Sequence, residues 1–229
     1  MKAVFIEARY KGKVEIDKKT IDKLPEKIGL ATTTQFVNQI EDIKKQLESQ
    51  GKKVFLGKST QIYPGQLLGC DVSSAINAET DADAFLYIGD GLFHPLGVAY
   101  NTGKNVHGYD PIGRKYSLIT QKDVEKFKKR KKGAYIKFLS AENIGILVST
   151  KIGQNNFKKA IQLKENLEKD GKNAYVFVQD TLDLGQMENF PFIDSWVNTA
   201  CPRLEDDKAG IVNIGDISKQ KEEIKVNQV

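Results

Sequence analysis

Ile144-Gly145-Ile146-Leu147-Val148-Ser149-Thr150 repeats the character of Ile28-Gly29-Leu30-Ala31-Thr32-Thr33-Thr34, and the two stretches lie 116 residues apart. Each is a short apolar run ending on hydroxyl residues, the pattern of a strand buried on both faces. The segments after the two runs match as well. After the first, Phe36, Val37, Ile40, Ile43 and Leu47 share one face at helical spacing, with Thr32-Thr33-Thr34 as the expected N-cap and Gly51-Lys52 as the stop. After the second come Phe157, Ile161 and Leu167, closed by Gly171-Lys172. The expected strand Val54–Leu56 is answered by Tyr175–Val178, and Asp83-Ala84-Phe85-Leu86 by Asp194-Ser195-Trp196-Val197. Two copies of one β-α-β-loop-β unit explain this pattern. The fold class is therefore α/β, with two related parallel-sheet domains formed by internal duplication and right-handed crossovers within each sheet.

The first domain is expected over residues 1–138, closing on a basic linker helix from Gln121 to Lys137, and the second over 139–229. Further expected elements are an opening strand Ala3 to Ala8, an extended piece Lys13 to Ile16 and a strand Ala84 to Ile88. A helix Leu96 to Asn101 with Pro95 in its first turn, a strand Asn105 to Tyr109 and a strand Ile193 to Val197 complete the pattern.

With 229 residues the chain is long enough to bury a sizeable core without staples. Its formal net charge of +5 is a weak pull toward an anionic partner. Charged residues interrupt the first ten positions, so they read as neither signal peptide nor membrane span, and a cytoplasmic protein is expected. Two cysteines are no disulfide framework. With no Cys-x-x-Cys and only two histidines, a local zinc knuckle is excluded.

Candidate site residues lie where strands end, the edge at which open parallel sheets bind ligands. Cys70 sits in a turn shaped by Pro64, Gly65 and Gly69, and Cys201 comes after the expected Ile193–Val197 strand, directly before Pro202. Buried thiols acting as small hydrophobes are the bland reading. Glycine and proline neighbours at a sheet edge favour accessible ones. Gly89-Asp90-Gly91 ahead of a helix is either an anion cradle or an ordinary strand-to-helix turn. His94, on the same loop, is a structural histidine or a catalytic group, such as the base of a Cys–His pair. Ser149-Thr150-Lys151-Ile152-Gly153-Gln154 has the residue types of a phosphate or carboxylate clamp but not the order of a P-loop. Lys128 to Lys132 is most simply a solvated helix face, with a nucleic-acid or ribosome-associated partner as the minority reading.

Four stretches together resemble a known family. They are Tyr63 to Asp71, Phe85 to Gly97, Ile146 to Gln154 and Trp196 to Arg203, and in this order they are similar to the diphthamide synthases, the 2-(3-amino-3-carboxypropyl)histidine synthases. The resemblance runs from about Phe5 to about Asp207. It implies three related α/β domains, each giving one cysteine to a [4Fe-4S] cluster whose fourth iron meets S-adenosylmethionine. A 3-amino-3-carboxypropyl radical then adds to a histidine of translation elongation factor 2. Carried over by motif, Cys70 and Cys201 are two of the cluster ligands. Gly89, Gly91, Ser149, Thr150, Lys151, Gln154 and Arg203 are the candidates for holding the co-substrate, and His94 is the candidate catalytic group.

One departure from the family pattern is large, since its first domain, with the third cysteine, has no counterpart here. A homo- or heterodimer in which another chain carries that domain is expected, with elongation factor 2 as substrate. Neither membrane association nor direct nucleic-acid binding is expected. The alternatives are a fragment, a non-catalytic scaffold or electron-accepting subunit of the same synthase, and a redox-inactive module binding a nucleotide or amino-acid derivative.

Overall fold

A computed structural model describes the chain except for residues 1–3, 5, 205–209 and 218–229. It divides into two compact units, Met1–Lys126 and Phe127–Val229. The first contains α1 (Lys18–Ile21), β1 (Lys27–Thr32), α2 (Ile40–Glu48), β2 (Lys53–Phe55), α3 (Ser73–Ile76), β3 (Ala84–Ile88), α4 (Phe93–Thr102), β4 (Val106–Asp110) and β5 (Lys115–Ile119). Helix α5 (Gln121–Ser140) runs into the second unit, which continues with β6 (Asn143–Ser149), α6 (Phe157–Lys169), β7 (Asn173–Gln179), β8 (Ser195–Asn198) and β9 (Ile211–Asn213). Among the described residues no helix is long and apolar enough to cross a membrane.

The duplication is visible in the topology. Strand order is β2-β1-β3-β4-β5 in the first unit and β7-β6-β8-β9 in the second. The first four strands of each correspond one to one, and all pair in parallel. Such strands are covered on both faces, which is why β3 and the last five residues of β1 are buried throughout. One face of the first sheet packs Ile28, Leu30, Leu86 and Ile88 against Ile43 and Leu47 of α2, and the other packs Phe85 and Tyr87 against Val98 and Ala99 of α4. The second sheet sets Ile144, Ile146, Val148 and Val197 against α6 and α5, whose Ala134, Tyr135 and Phe138 lie in this core.

The glycine that opens each repeat has a steric purpose. Gly29 stands opposite Phe85 in the β1–β3 register, and a Cβ there would come within 2.3 Å of the ring. Gly145 stands opposite Trp196 in the β6–β8 register, with the corresponding distance 2.4 Å. Both copies thus let a cross-strand aromatic lie flat on bare backbone.

Several expectations are corrected. Val4 and Ile6 to Ala8 form no strand, Val4 and Ile6 are exposed, and the rest of the expected Ala3–Ala8 strand lies outside the described residues. Lys13–Ile16 is extended yet joins no sheet, because two glutamines of the neighbouring helical segment replace a partner strand. Gln39 Oε1 accepts from Val14 N at 2.7 Å and its Nε2 donates to Gly12 O at 2.7 Å. Gln46 makes the same double contact with Ile16 N at 3.1 Å and Val14 O at 2.8 Å. Thr32 to Thr34 cap no helix. Thr32 ends β1 and donates its hydroxyl to Ile88 O at 2.7 Å, and α2 starts only after a 3-10 turn at Val37–Gln39. Helix α4 begins at Phe93, three residues before Leu96, which puts His94 in its first turn. The last expected strand starts at Ser195, leaving Ile193 in the core beside it.

An antiparallel fifth strand edges the first sheet. β5 returns along β4 after a turn in which Asp110 Oδ1 accepts from Ile112 N at 2.9 Å. This hairpin buries His107, whose Nδ1 meets the Tyr116 hydroxyl at 2.9 Å. Burial, with the charges of Lys23 and Lys52, holds the imidazole below its usual pKa of 6.5.

Gly145→Ala should lower stability by about 1–3 kcal/mol, as overpacking does. Gly133→Ala, on the solvent side of α5 where a Cβ meets nothing within 4 Å, should raise it by up to about 1 kcal/mol. Denaturant midpoints decide both signs. For His107, the unfolded chain takes up a proton at a higher pH than the folded one. Its contribution is therefore complete above about pH 6.5 and is lost as pH falls through the depressed folded value. His107→Gln should flatten the fall in unfolding midpoint between about pH 7 and 5.

Candidate functional site

In each unit the strand order reverses beside the first strand, between β2 and β3 around β1 and between β7 and β8 around β6. Connections leave such a pair in opposite directions and open a crevice at the carboxyl ends. The candidate cysteines, the Gly89–His94 loop and the Ser149–Gln154 segment each follow a strand of one of these two sheets, whereas Lys128 to Lys132 lie on α5.

In the second unit the edge forms a pocket of about 190 Å³, lined by Ser149 from the end of β6, Lys151 and Gln154 from the next loop, and Asp180 to Leu182 after β7. Cys201, Arg203 and Leu204 after β8 close it. Five of the sequence candidates thus meet in one cavity. Thr150, exposed, is not among the lining residues and donates its hydroxyl to Asp180 Oδ1 at 3.0 Å. Ser149, buried, ties two strand ends together by donating to Asp180 O at 2.8 Å while accepting from Lys151 N at 3.2 Å. Lys151, Arg203 and Asp180 give the cavity cationic and anionic groups side by side.

The loop carrying Cys201 is held by asparagines. Asn198, 1% exposed, donates from Nδ2 to Cys201 O at 2.8 Å and to Asn213 Oδ1 at 2.7 Å, and accepts from Ala200 N at 2.9 Å. Asn213 Nδ2 reaches Pro202 O at 3.2 Å, and Asn156 Nδ2 reaches Thr199 O at 2.7 Å. The Thr199 hydroxyl donates to Leu147 O at 2.8 Å. These bonds give the backbone of the turn buried partners where it leaves the sheet, which fixes the half-buried thiol against the pocket.

In the first unit the loop after β2 runs back beside β1, with Thr32 N donating to Gly65 O at 2.9 Å and Leu67 N to Thr32 O at 2.7 Å. Beyond it lies a tight turn, closed by reciprocal bonds between Leu68 and Asp71 at 2.9 and 3.1 Å, with Gly69 and the exposed Cys70 at its tip. Asp71 secures the turn. Its carboxylate accepts from Ser73 N at 2.9 Å and Gln61 Nε2 at 2.8 Å, and the bond from Ser73 leads in holding it below the usual carboxylate range. A Cβ on Gly69 would stand 2.9 Å from the Phe93 ring, so the turn rests on the first residue of α4. Next to it, His94 Nδ1 meets the buried Tyr87 hydroxyl at 3.2 Å and its ring stacks on Tyr87 at 5.6 Å. Gly89 (φ 151°) and Gly91 (φ 70°) adopt backbone conformations that other residues rarely hold, and they carry the chain from β3 into α4.

Asp180, Asn198, Asn213 and Gln61 escape the sequence reading. Only Asp180 has a usable signal, its place directly after the strand that repeats Val54–Leu56. The asparagines are recognisable only once β9, a strand without a sequence forecast, puts Asn213 beside Asn198. Among the described residues no three His, Cys, Asp or Glu side chains gather as a metal site.

Residues 1–210 match the model of a family described as "Putative diphthamide synthesis protein". The chain is 36% identical over 192 residues to 2-(3-amino-3-carboxypropyl)histidine synthase of Pyrococcus horikoshii, covering 83% of this chain and 54% of that protein. It is 30% identical over 188 residues to subunit 1 of the same synthase from Schizosaccharomyces pombe, covering 79% and 42%. The crystal structure of Dph2 from Pyrococcus horikoshii with a 4Fe-4S cluster superposes with a TM-score of 0.71 at 34% identity, covering 85% of this chain and 57% of that one. The chain therefore spans about half the length of the relatives it matches. Matched along most of its length by sequence and by fold, the chain belongs to the diphthamide synthesis protein family.

Proposed function

We propose that this chain works in the transfer of the 3-amino-3-carboxypropyl group from S-adenosylmethionine to a histidine of elongation factor 2, with Cys70 and Cys201 as ligands of a [4Fe-4S] cluster. The observation that carries this reading is the placement of a thiol at the carboxyl edge of each duplicated sheet, one at a turn tip and one on a polar pocket. Thiolate sulfur is the donor such clusters take, so the residues present suit the group in kind. When bound, the cluster would supply an electron to the sulfonium and an iron with an open coordination position.

The chain's own residues account for binding and orientation. The amino-acid end of S-adenosylmethionine is a zwitterion, and the second-unit pocket offers Lys151 and Arg203 for its carboxylate and Asp180 for its ammonium. Ser149 and Gln154 shape that wall, and Thr150, outside it, holds Asp180 in place. Gly89 and Gly91 let the backbone before α4 approach a ligand closely. Histidine exchanges protons near neutral pH, and Tyr87 fixes the His94 ring, so His94 is the group to take up the proton that the target imidazole releases. A partner chain supplies the third thiolate, and the reaction belongs in the cytoplasm, where elongation factor 2 works.

Cys70→Ala and Cys201→Ala, made separately, should each abolish the brown colour and the iron and sulfide content after anaerobic reconstitution with the partner, together with S-adenosylmethionine cleavage. Retained modification of the elongation factor in both variants would make this chain a scaffold instead. Asn198→Ala leaves the thiol but frees its loop, so cluster affinity should drop by about 10–100-fold, the range for residues that orient metal ligands. Iron titration monitored by EPR reads that drop.

A further inference from the structure

Helix α5 carries a surface that this function does not use. Seven lysines and one arginine fall within it against Asp123 and Glu125, an excess greater than the +5 of the whole chain. The fold sorts them by face. Ala134, Tyr135 and Phe138 turn inward, and Lys131 turns the same way to pair with Asp216 at 2.5 Å. Lys122, Lys126, Lys128, Lys129, Arg130, Lys132 and Lys137 remain exposed, with Glu125 as the one exposed carboxylate among them. Asp123 is engaged at the helix start, where its carboxylate accepts from the Thr120 backbone N at 2.9 Å and hydroxyl at 2.7 Å. Lys137 feels the charge of Asp194.

Two features of this face work against the helix itself. Lys122 and Lys126 are like charges four residues apart, as are Lys128 and Lys132, and Lys129 lies three from both Lys126 and Lys132, spacings at which like charges repel. Gly133 stands in the middle of the same face, where a Cβ would meet nothing within 4 Å, so packing gives no reason to refuse alanine. A molecule lying along the helix accounts for both. It neutralises the lysines, and it approaches the bare backbone at Gly133 more closely than a side chain would allow.

We propose that the exposed face of α5 binds the phosphodiester backbone of a nucleic acid. Composition selects this occupant over an acidic protein. Protein interfaces centre on aromatic and arginine anchors and are poor in lysine, whereas here Tyr135 and Phe138 point into the core and six exposed lysines outnumber the one arginine and the two exposed apolar residues, Ile136 and Leu139. Lysine binds phosphate as a point charge, and a face without aromatics stacks no bases. Contact is thus to the backbone, independent of sequence and steeply dependent on salt. Lys122 to Lys137 spans about 22 Å along the helix, enough for four or five lysines to meet successive phosphates. Sequence alone favours a solvated surface for this run. Its sorting onto one face and the unforced glycine are what the structure adds.

The test is fluorescence anisotropy of the full chain with an RNA duplex of about 20 base pairs, between about 50 and 200 mM salt. Binding should weaken with a log–log slope of about −4. The triple variant Lys126→Gln, Lys129→Gln, Lys132→Gln should lose about three units of that slope and at least about tenfold in affinity at the lowest salt, with a melting temperature equal to or above that of the parent chain. Gly133→Glu, which fits the open space, should weaken binding in the same direction. No binding at about 50 mM salt, or equal binding by the triple variant, overturns the proposal. So does tighter binding of polyglutamate than of the duplex at equal charge, which would assign the face to an acidic protein.

Discussion

A parallel sheet buried on both faces must find partners for the backbone groups at its strand ends, where neighbours diverge and the ladder stops. In this protein that demand is met by side chains, and meeting it builds the edge at which the candidate residues stand. The Thr32 hydroxyl bonds Ile88 O across the ends of β1 and β3, and the Thr199 hydroxyl bonds Leu147 O across the ends of β8 and β6. Ser149 joins β6 to the residue after β7, and Asn198 carries the turn after β8. Since an unmet buried polar group costs more than a net hydrogen bond contributes, these residues are constrained first as structure. The pocket forms because they hold three loops apart at fixed positions.

The two copies solve the same problem with the donor exchanged. Thr32 lies on the central strand and reaches across to the neighbouring one, whereas Thr199 lies just past that neighbour and reaches back. Thr199 and Ile88 are equivalent in the repeat that pairs Trp196 with Phe85, whereas Leu147 answers Ala31, so the second tie meets the central strand one position earlier than the first. Their thiols differ in the same way. Cys201 comes after the third strand of its copy, where the first copy has Asp90, while Cys70 comes after a second strand. The two copies thus share the tied edge, while the candidate thiol stands on a different loop in each.

Legibility tracks how local the determining forces are. β3 is readable to the residue because five successive apolar residues between a charged turn and Gly89 leave one solution. The glycine–aromatic pairs are visible only as matching letters, since what Gly29 and Gly145 avoid is a ring more than fifty positions away. Thr32-Thr33-Thr34 has every local mark of an N-cap, yet the sheet claims Thr32, and the Thr34 hydroxyl accepts from Gln66 at 2.9 Å. Lys13–Ile16 reads as an extended piece, but glutamines at positions 39 and 46 supply what a partner strand would, and no propensity rule anticipates that substitution. β5 escapes because an edge strand with Tyr116 and Ser117 half-buried and Leu118 exposed lacks a clean alternation.

The site candidates divide along the same line. Residue types name Lys151, Gln154, Cys201 and Arg203, because charge and sulfur at a strand end are rare enough to notice. They cannot name Asn198, whose importance lies in three bonds that only the folded turn presents together. A side chain that acts on chemistry directly is marked by its own functional group. One that acts by holding backbone is marked only by geometry, and buried asparagine, with two donors and an acceptor on one short arm, suits the second task better than any residue that could be mistaken for the first.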